Sequence, residues 1–279
     1  MFNLTGKQIL LVEDEVLIGL STKKNLEKKG YNVIHACSPD KAISIIEENW
    51  KISLILMDID LGTNVNGIMT AKKILERRDL PIVFVSSHTE PEIMSLTEEI
   101  TSYGYVVKDS NIVAYDASIK MAYRLFVEKK QRETFSIYIQ TALENANEPL
   151  FICDTHGDIV FLNKAYMTIQ GLTDSKYVKL KFEDYSKEIT VYSGSGEKLD
   201  EQNLASTRPL RGEAGDNVVL YVYNHSIKKV LVNYYSYAPI YNTMREIIGA
   251  YVKIGEGVDN PDKKLIKQIE KEMNRESKN

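Results

Sequence analysis

Five short apolar runs recur through residues 1 to 110, each followed by a mixed polar and apolar stretch, and this alternation constrains the fold most. The runs are Ile9-Leu10-Leu11-Val12, Asn32-Val33-Ile34, Leu54-Ile55-Leu56-Met57, Ile82-Val83-Phe84-Val85 and Tyr105-Val106-Val107. Their continuous apolar character suits strands buried on both faces, as in a parallel sheet. The stretches between them carry helix punctuation. Ser38 is a capping residue with proline at the first helical position, ahead of Ala42, Ile43, Ile45 and Ile46. Thr89 and Glu92 have capping-box spacing ahead of Ile93, Leu96 and Ile100. Gly30 is expected to end the first helix in a left-handed cap. Strand–helix alternation with short connections predicts an open α/β sheet with right-handed crossovers. Ligands of such sheets bind beyond the carboxyl ends of the strands.

Those ends carry Glu13-Asp14-Glu15 after the first strand, Asp58 after the third, Ser86 after the fourth and Lys108 after the fifth. Carboxylates converging on one crevice repel unless a cation sits among them. An all-oxygen set of this kind suits Mg²⁺. An aspartate beside that metal can attack phosphorus and form an acyl phosphate, with Lys108 and the Ser86 hydroxyl binding the phosphoryl oxygens.

From Lys7 to Val107 the chain resembles the receiver domain of bacterial response regulators, which has a flavodoxin-like five-stranded parallel sheet with helices on both faces. The matching stretches are Ile9 to Glu15, Leu54 to Leu61, Pro81 to Ser86 and Gly104 to Lys108. The resemblance implies Glu13 and Asp14 as the acidic pair for Mg²⁺, with Asp58 as both ligand and phosphoacceptor. It further implies the backbone carbonyl of Asp60 as a metal ligand, Ser86 and Tyr105 as switch residues, and Lys108 as the phosphate's ion-pair partner. Where the family has a cis proline after the lysine, this chain has Asp109. A non-proline cis bond costs about 2.5–4 kcal/mol, so a trans bond is expected. His88 is read as a solvent-facing loop residue, with a rim position that tunes hydrolysis as the alternative. A rival reading takes Asp58-Ile59-Asp60 and Thr63 as the nucleophile loop of a haloacid-dehalogenase-type phosphohydrolase. That loop normally follows the first strand, and the reading leaves Glu13 and Asp14 without a role.

From Ser110, read as an N-cap, to Ala146 the pattern is helical. Ile112, Tyr115, Ile119, Ala122 and Phe126 form one apolar stripe, read as core. Phe135, Ile139, Ala142 and Ala146 form another, read as a dimer contact, with the charged run 128–133 at the shift between them. After Pro149 the pattern changes to strands and turns. Segments at 150–154 and 158–162 flank the turn Thr155-His156-Gly157, and a short helix follows Asn163 and stops at Gly171. Three more β segments lie at 217–223, 229–237 and 247–254. With Arg211-Gly212-Glu213, Ala238-Pro239-Ile240 and Gly249-Ala250, this half is similar to the PAS fold, an α+β domain with an antiparallel sheet. The resemblance implies haem, flavin, a small metabolite or no ligand at all. The cysteine motif of flavin-adduct sensors is absent, because Cys153 lies on a strand, and His156 and His225 are the loosest of haem-ligand candidates. The tyrosines at 221, 223, 234, 235, 237 and 241 are read as sheet surface and core, with a dimer face as the alternative.

The expected organisation is a receiver over 1–127, a helical linker over 128–147, a PAS-like domain over 148–256 and a charged, frayed tail over 257–279. The chain is expected to be a cytoplasmic response regulator and not an enzyme. A histidine kinase or phosphotransfer protein phosphorylates it, and it forms a homodimer. The alternative is the input region of a hybrid histidine kinase, although neither a phosphoacceptor-histidine box nor ATP-binding boxes occur in this chain. With 39 acidic against 35 basic residues, no global basic field draws the chain to DNA or an anionic membrane. No apolar run approaches the roughly 20 residues of a membrane helix.

Overall fold

The computed structural model describes residues 6–62, 66–87, 102–169, 180–255 and 257–276. The chain divides into two compact units, Met1–Ser136 and Ile137–Asn279.

In the first unit β1 (Gln8–Val12), β2 (Asn32–Ala36), β3 (Ile52–Asp58), β4 (Ile82–Ser86) and β5 (Ser102–Val107) form a parallel sheet. Its order is β2-β1-β3-β4-β5. Successive strand residues point to opposite faces, so each strand feeds two cores. Leu10, Val12, Ile55, Met57, Ile82 and Phe84 meet α2 (Pro39–Glu48) and α3 (Gly67–Leu75) through Ala42, Ile46, Ala71 and Ile74. Ile9, Leu11, Leu54, Leu56, Val83 and Val85 meet α1 (Val16–Lys28) and α4 (Ile112–Glu144) through Leu26, Tyr115, Ile119 and Ala122. The sheet order reverses between β1 and β3, which opens a crevice at their carboxyl ends.

Local signals act as the sequence indicates at several ends. Ser38 Oγ accepts from Lys41 N at 3.3 Å with Pro39 leading α2, and Gly30 follows α1 at φ +92°. The capping box at Thr89 and Glu92 lies outside the described residues. The cap of α4 is Asn111, whose Oδ1 accepts from Val113 N and Ala114 N at 3.0 and 3.1 Å, rather than Ser110. An asparagine one residue nearer the helix aims its carbonyl at the free amides, which is the geometry capping needs. The charged run does not interrupt α4. It contains no glycine or proline, and Arg124–Glu128 and Lys129–Glu133 pair one turn apart. At the amino end of β3, Arg78 donates to the carbonyls of Asn49, Trp50 and Ile52. Its guanidinium stands 5.0 Å from the ring centre of Trp50, which is 74% exposed.

The second unit is built on an antiparallel sheet of six strands, ordered β7-β6-β11-β10-β9-β8. These are β6 (Leu150–Cys153), β7 (Ile159–Leu162), β8 (Ile189–Ser193), β9 (Gly215–Asn224), β10 (Lys229–Tyr241) and β11 (Ile247–Gly255). Two short helices, α5 (Lys164–Ile169) and α6 (Phe182–Tyr185), contribute Tyr166, Met167, Phe182 and Tyr185 to the core on one face. Asn163 is fully buried and ties this region together. Its Oδ1 accepts from Leu150 N and Tyr166 N, and its Nδ2 donates to Ala146 O and Glu148 O. Gly171, expected to stop the helix, lies outside the described residues.

Two elements differ from the sequence reading. β8 was not anticipated. It is an edge strand beside β9 of only five residues, and its buried side chains are split between faces, Val191 toward one core and Tyr192 toward the other. The tail expected to fray contains a folded helix, α7 (Lys263–Glu276), with Ile269 and Met273 buried against Tyr192, Tyr221 and Tyr223 on the outer face of the sheet. Leu265, Ile266, Ile269 and Met273 form a narrow apolar stripe that the surrounding charges obscure in the sequence. Tyr235 and Tyr237 are buried on the opposite side, and Tyr241 is exposed. No described helix is long and apolar enough to cross a membrane.

Candidate functional site

The crevice between β1 and β3 gathers the charged strand-end residues. Glu13 N donates to Ala36 O at 3.0 Å and Ile59 N donates to Val85 O at 3.0 Å, so the ladder extends one residue past each strand and carries both acids to the rim. Glu13 and Asp58 are buried, Asp14 is half-buried, and one carboxylate oxygen from each lies within 4.8 Å of the others. Lys108 follows β5, and its backbone N–H donates to Ser86 O at 2.9 Å. Its Nζ donates to Asp58 Oδ2 at 2.7 Å and to Glu13 Oε1 at 3.1 Å. Asp60 N donates to Asp58 Oδ1 at 3.1 Å.

The electrostatics follow from burial. Burial, reinforced by the Asp58 charge, pushes the Glu13 carboxyl up to about 7 although Lys108 works against it. Burial likewise raises Asp58 against the pull of Lys108. Burial opposes the Lys108 charge, yet its bonds to Asp58 and Glu13 prevail and hold the ammonium up at about 12. Three carboxylates therefore face one ammonium, an excess of negative charge that an all-oxygen divalent cation site would neutralise. The donor set fits Mg²⁺.

The remaining predicted residues fall around this group. Ser86 is buried at the end of β4, one position past Val85, the β3–β4 neighbour of Asp58. Tyr105 is half-buried on β5 beside Phe84. Asp109 is exposed, and every peptide bond described is trans. His88 and Thr63 lie outside the described residues. Three supporting residues escaped the sequence reading. His35 Nε2 lies 2.7 Å from Glu13 O and fixes that backbone. Gly19 of α1 leaves room for the His35 ring, where a Cβ would collide. Gly67, at the start of α3, abuts the Asp58 carbonyl, and a Cβ would collide there as well. Glycine inside or opening a helix is costly unless a backbone must come close, and that was the available signal.

Residues 9–120 match the response regulator receiver domain family. The first unit is a receiver domain, with the five-stranded parallel sheet and acidic cluster that its fold and site describe. Among curated proteins, the chain is 25% identical over 122 residues to the transcriptional regulatory protein PdtaR of Mycobacterium tuberculosis, covering 44% of this chain and 59% of that protein's length. It is 26% identical over 169 residues to the response regulator protein GraR of Staphylococcus aureus, covering 61% and 74%. Among solved structures it is similar to the N-terminal domain of a response regulator/sensory box/GGDEF three-domain protein from Carboxydothermus hydrogenoformans. That match has 36% identity and a TM-score of 0.42, covering 44% of this chain and 98% of that one.

The second unit has a cavity of about 640 Å³ between the sheet and its short helices, lined by Phe151, Leu180, Tyr185, Leu204, Val222 and Tyr235 among others. Tyr185 Oη donates to Ser206 Oγ at 2.9 Å on its wall. Neither His156, exposed in its turn, nor His225, bonded to Thr190 Oγ1 at 2.9 Å, lines it.

Proposed function

We propose that this chain is a two-component response regulator that accepts a phosphoryl group on Asp58 from a histidine kinase or phosphotransfer protein. The observation that carries the reading is the buried Asp58 carboxylate bonded to Lys108 beside Glu13 and Asp14, at the strand ends of a receiver domain. An Asp58 oxygen attacks phosphorus, one O–P bond forms, and the bond to the donor's nitrogen or acyl oxygen breaks. Lys108 stays protonated and pairs with the phosphoryl oxygens in place of the unmodified carboxylate, and the Ser86 hydroxyl donates to the same oxygens. Glu13, Asp14, Asp58 and the backbone carbonyl of Asp60 would hold Mg²⁺, which when bound neutralises charge on the transferring group. Ser86 and Tyr105 form the switch. The chain is a stoichiometric phosphoacceptor, with self-catalysed transfer and loss, rather than an enzyme on an external substrate.

The second unit acts as a PAS-like module that receives the signal. Its antiparallel sheet with short helices over an apolar cavity supports that reading. The protein works in the cytoplasm as a homodimer, without binding DNA. Intact-mass spectrometry after acetyl phosphate and Mg²⁺ tests the chemistry. One phosphoryl adduct on the wild type and none on Asp58→Asn is expected. An adduct on neither protein overturns the reading, and an adduct on both moves the acceptor elsewhere.

A further inference from the structure

Helix α4 buries Tyr115, Ile119 and Ala122 in the receiver core, yet it carries another stripe that nothing covers among the described residues. Met121 is 55% exposed, Leu125 44%, Phe135 65% and Ile139 46%. With Glu128 and Arg132 between them, these six residues follow 4-3-4-3-4 spacing, the repeat of a two-helix seam. The apolar and charged positions fall alike from either end, with the acid and the base exchanged. Two apolar residues are followed by an acid, then a base, then two apolar residues, symmetric about residue 130.

That symmetry favours one occupant and one direction. If a second copy lies antiparallel, Glu128 faces the partner's Arg132, Leu125 faces the partner's Phe135, and Met121 faces the partner's Ile139. Both central layers then join opposite charges. In a parallel pair Glu128 faces the partner's Glu128 and Arg132 faces the partner's Arg132, placing two like-charge layers in the seam. Flanking the parallel seam, Arg124 also comes beside the partner's Lys129. Like charges at buried seam positions are costly, and paired ones set direction and register. On its own helix Glu128 accepts from Arg124 Nε at 2.8 Å, while the Arg132 side chain makes no ion pair or hydrogen bond among the described residues. An unpaired guanidinium in an apolar stripe is satisfied by an incoming carboxylate.

We infer that α4 is the seam of an antiparallel homodimer, centred near residue 130 and closed by two reciprocal Glu128–Arg132 pairs. This deepens the dimer reading above by naming the surface and its direction, and it does not depend on phosphorylation of Asp58.

Site-directed disulfides in the full chain test it. Cys37, which is exposed, is first replaced in Cys37→Ser. Leu125→Cys and Phe135→Cys are then made as separate proteins of different mass, mixed and oxidised. The mixed disulfide should exceed either self-linked dimer by about tenfold, because only facing positions meet disulfide geometry. Dominant self-linked dimers would mean a parallel seam and overturn the proposal, as would a monomer mass by light scattering with no cross-link. Independently, Glu128→Arg should weaken dimerisation by about tenfold, with recovery when Arg132→Glu is added. No loss in the single variant, with an unchanged circular dichroism spectrum, would also overturn it. An intact cross-link together with an unphosphorylated Asp58 would leave the seam standing and remove the phosphoacceptor reading alone.

Discussion

Tyr31, buried at the end of the turn before β2, donates its hydroxyl proton to Asp116 Oδ1 on α4 at 2.6 Å, and Lys120 Nζ donates to Asp116 Oδ2 at 2.7 Å. Burial by itself would raise the Asp116 carboxyl, but these two bonds outweigh it and hold the group below its ordinary value. The sign of the linkage follows. A carboxylate whose pKa is depressed by folding adds stability above its unfolded value and loses it as pH falls through the folded one. Asp116→Asn should therefore cost about 1–2 kcal/mol near neutral pH. The gap to wild type should close as pH drops through and below about 3.9. Urea titrations at a series of pH values measure it, and a gap that is constant or grows on acidification would contradict the account. No local pattern in the sequence joins Tyr31 to Asp116, because the bond spans 85 residues and exists only after α4 has docked.

At the scale of elements, α7 shows how a charged segment earns a place in a fold. Ile269 and Met273 are each 1% exposed, and Asp262 N donates to Tyr221 Oη at 3.1 Å just before the helix begins. Ile269→Ala should destabilise the second unit by about 2–4 kcal/mol in denaturant titration, because the residual cavity faces tyrosine rings that cannot fully collapse. A loss near zero would restore the frayed tail expected from the charges. The contrast between elements explains what was legible beforehand. β1, β3 and β4 are buried on both faces, so their composition alone declares them, and their ends delivered Glu13, Asp14, Asp58 and Ser86. β8 is short and splits its buried residues between two faces, α7 uses only one face, and the signal of both is diluted by polar neighbours. Gly19, His35 and Gly67 were overlooked for another reason. Each answers a close approach between neighbouring elements, and such an approach leaves no periodic mark beyond the glycine itself.

For the whole molecule, each unit has its own hydrophobic clusters, so each has the means to melt as a cooperative body. The chain has a single tryptophan, and Trp50 belongs to the first unit, whereas tyrosines crowd the second. Indole emission during denaturation should thus follow the receiver alone, while far-ultraviolet dichroism follows both units. Asp116→Asn should move the emission curve, and Ile269→Ala should move only the dichroism. Equal displacement of both curves by both variants would mean that the units unfold together. The exposed ring beneath Arg78 is thereby a native optical label, open to collisional quenchers and carrying a cation on one face. Unfolding of the receiver can be followed by its glow in real time, without attaching a dye to either half of the chain.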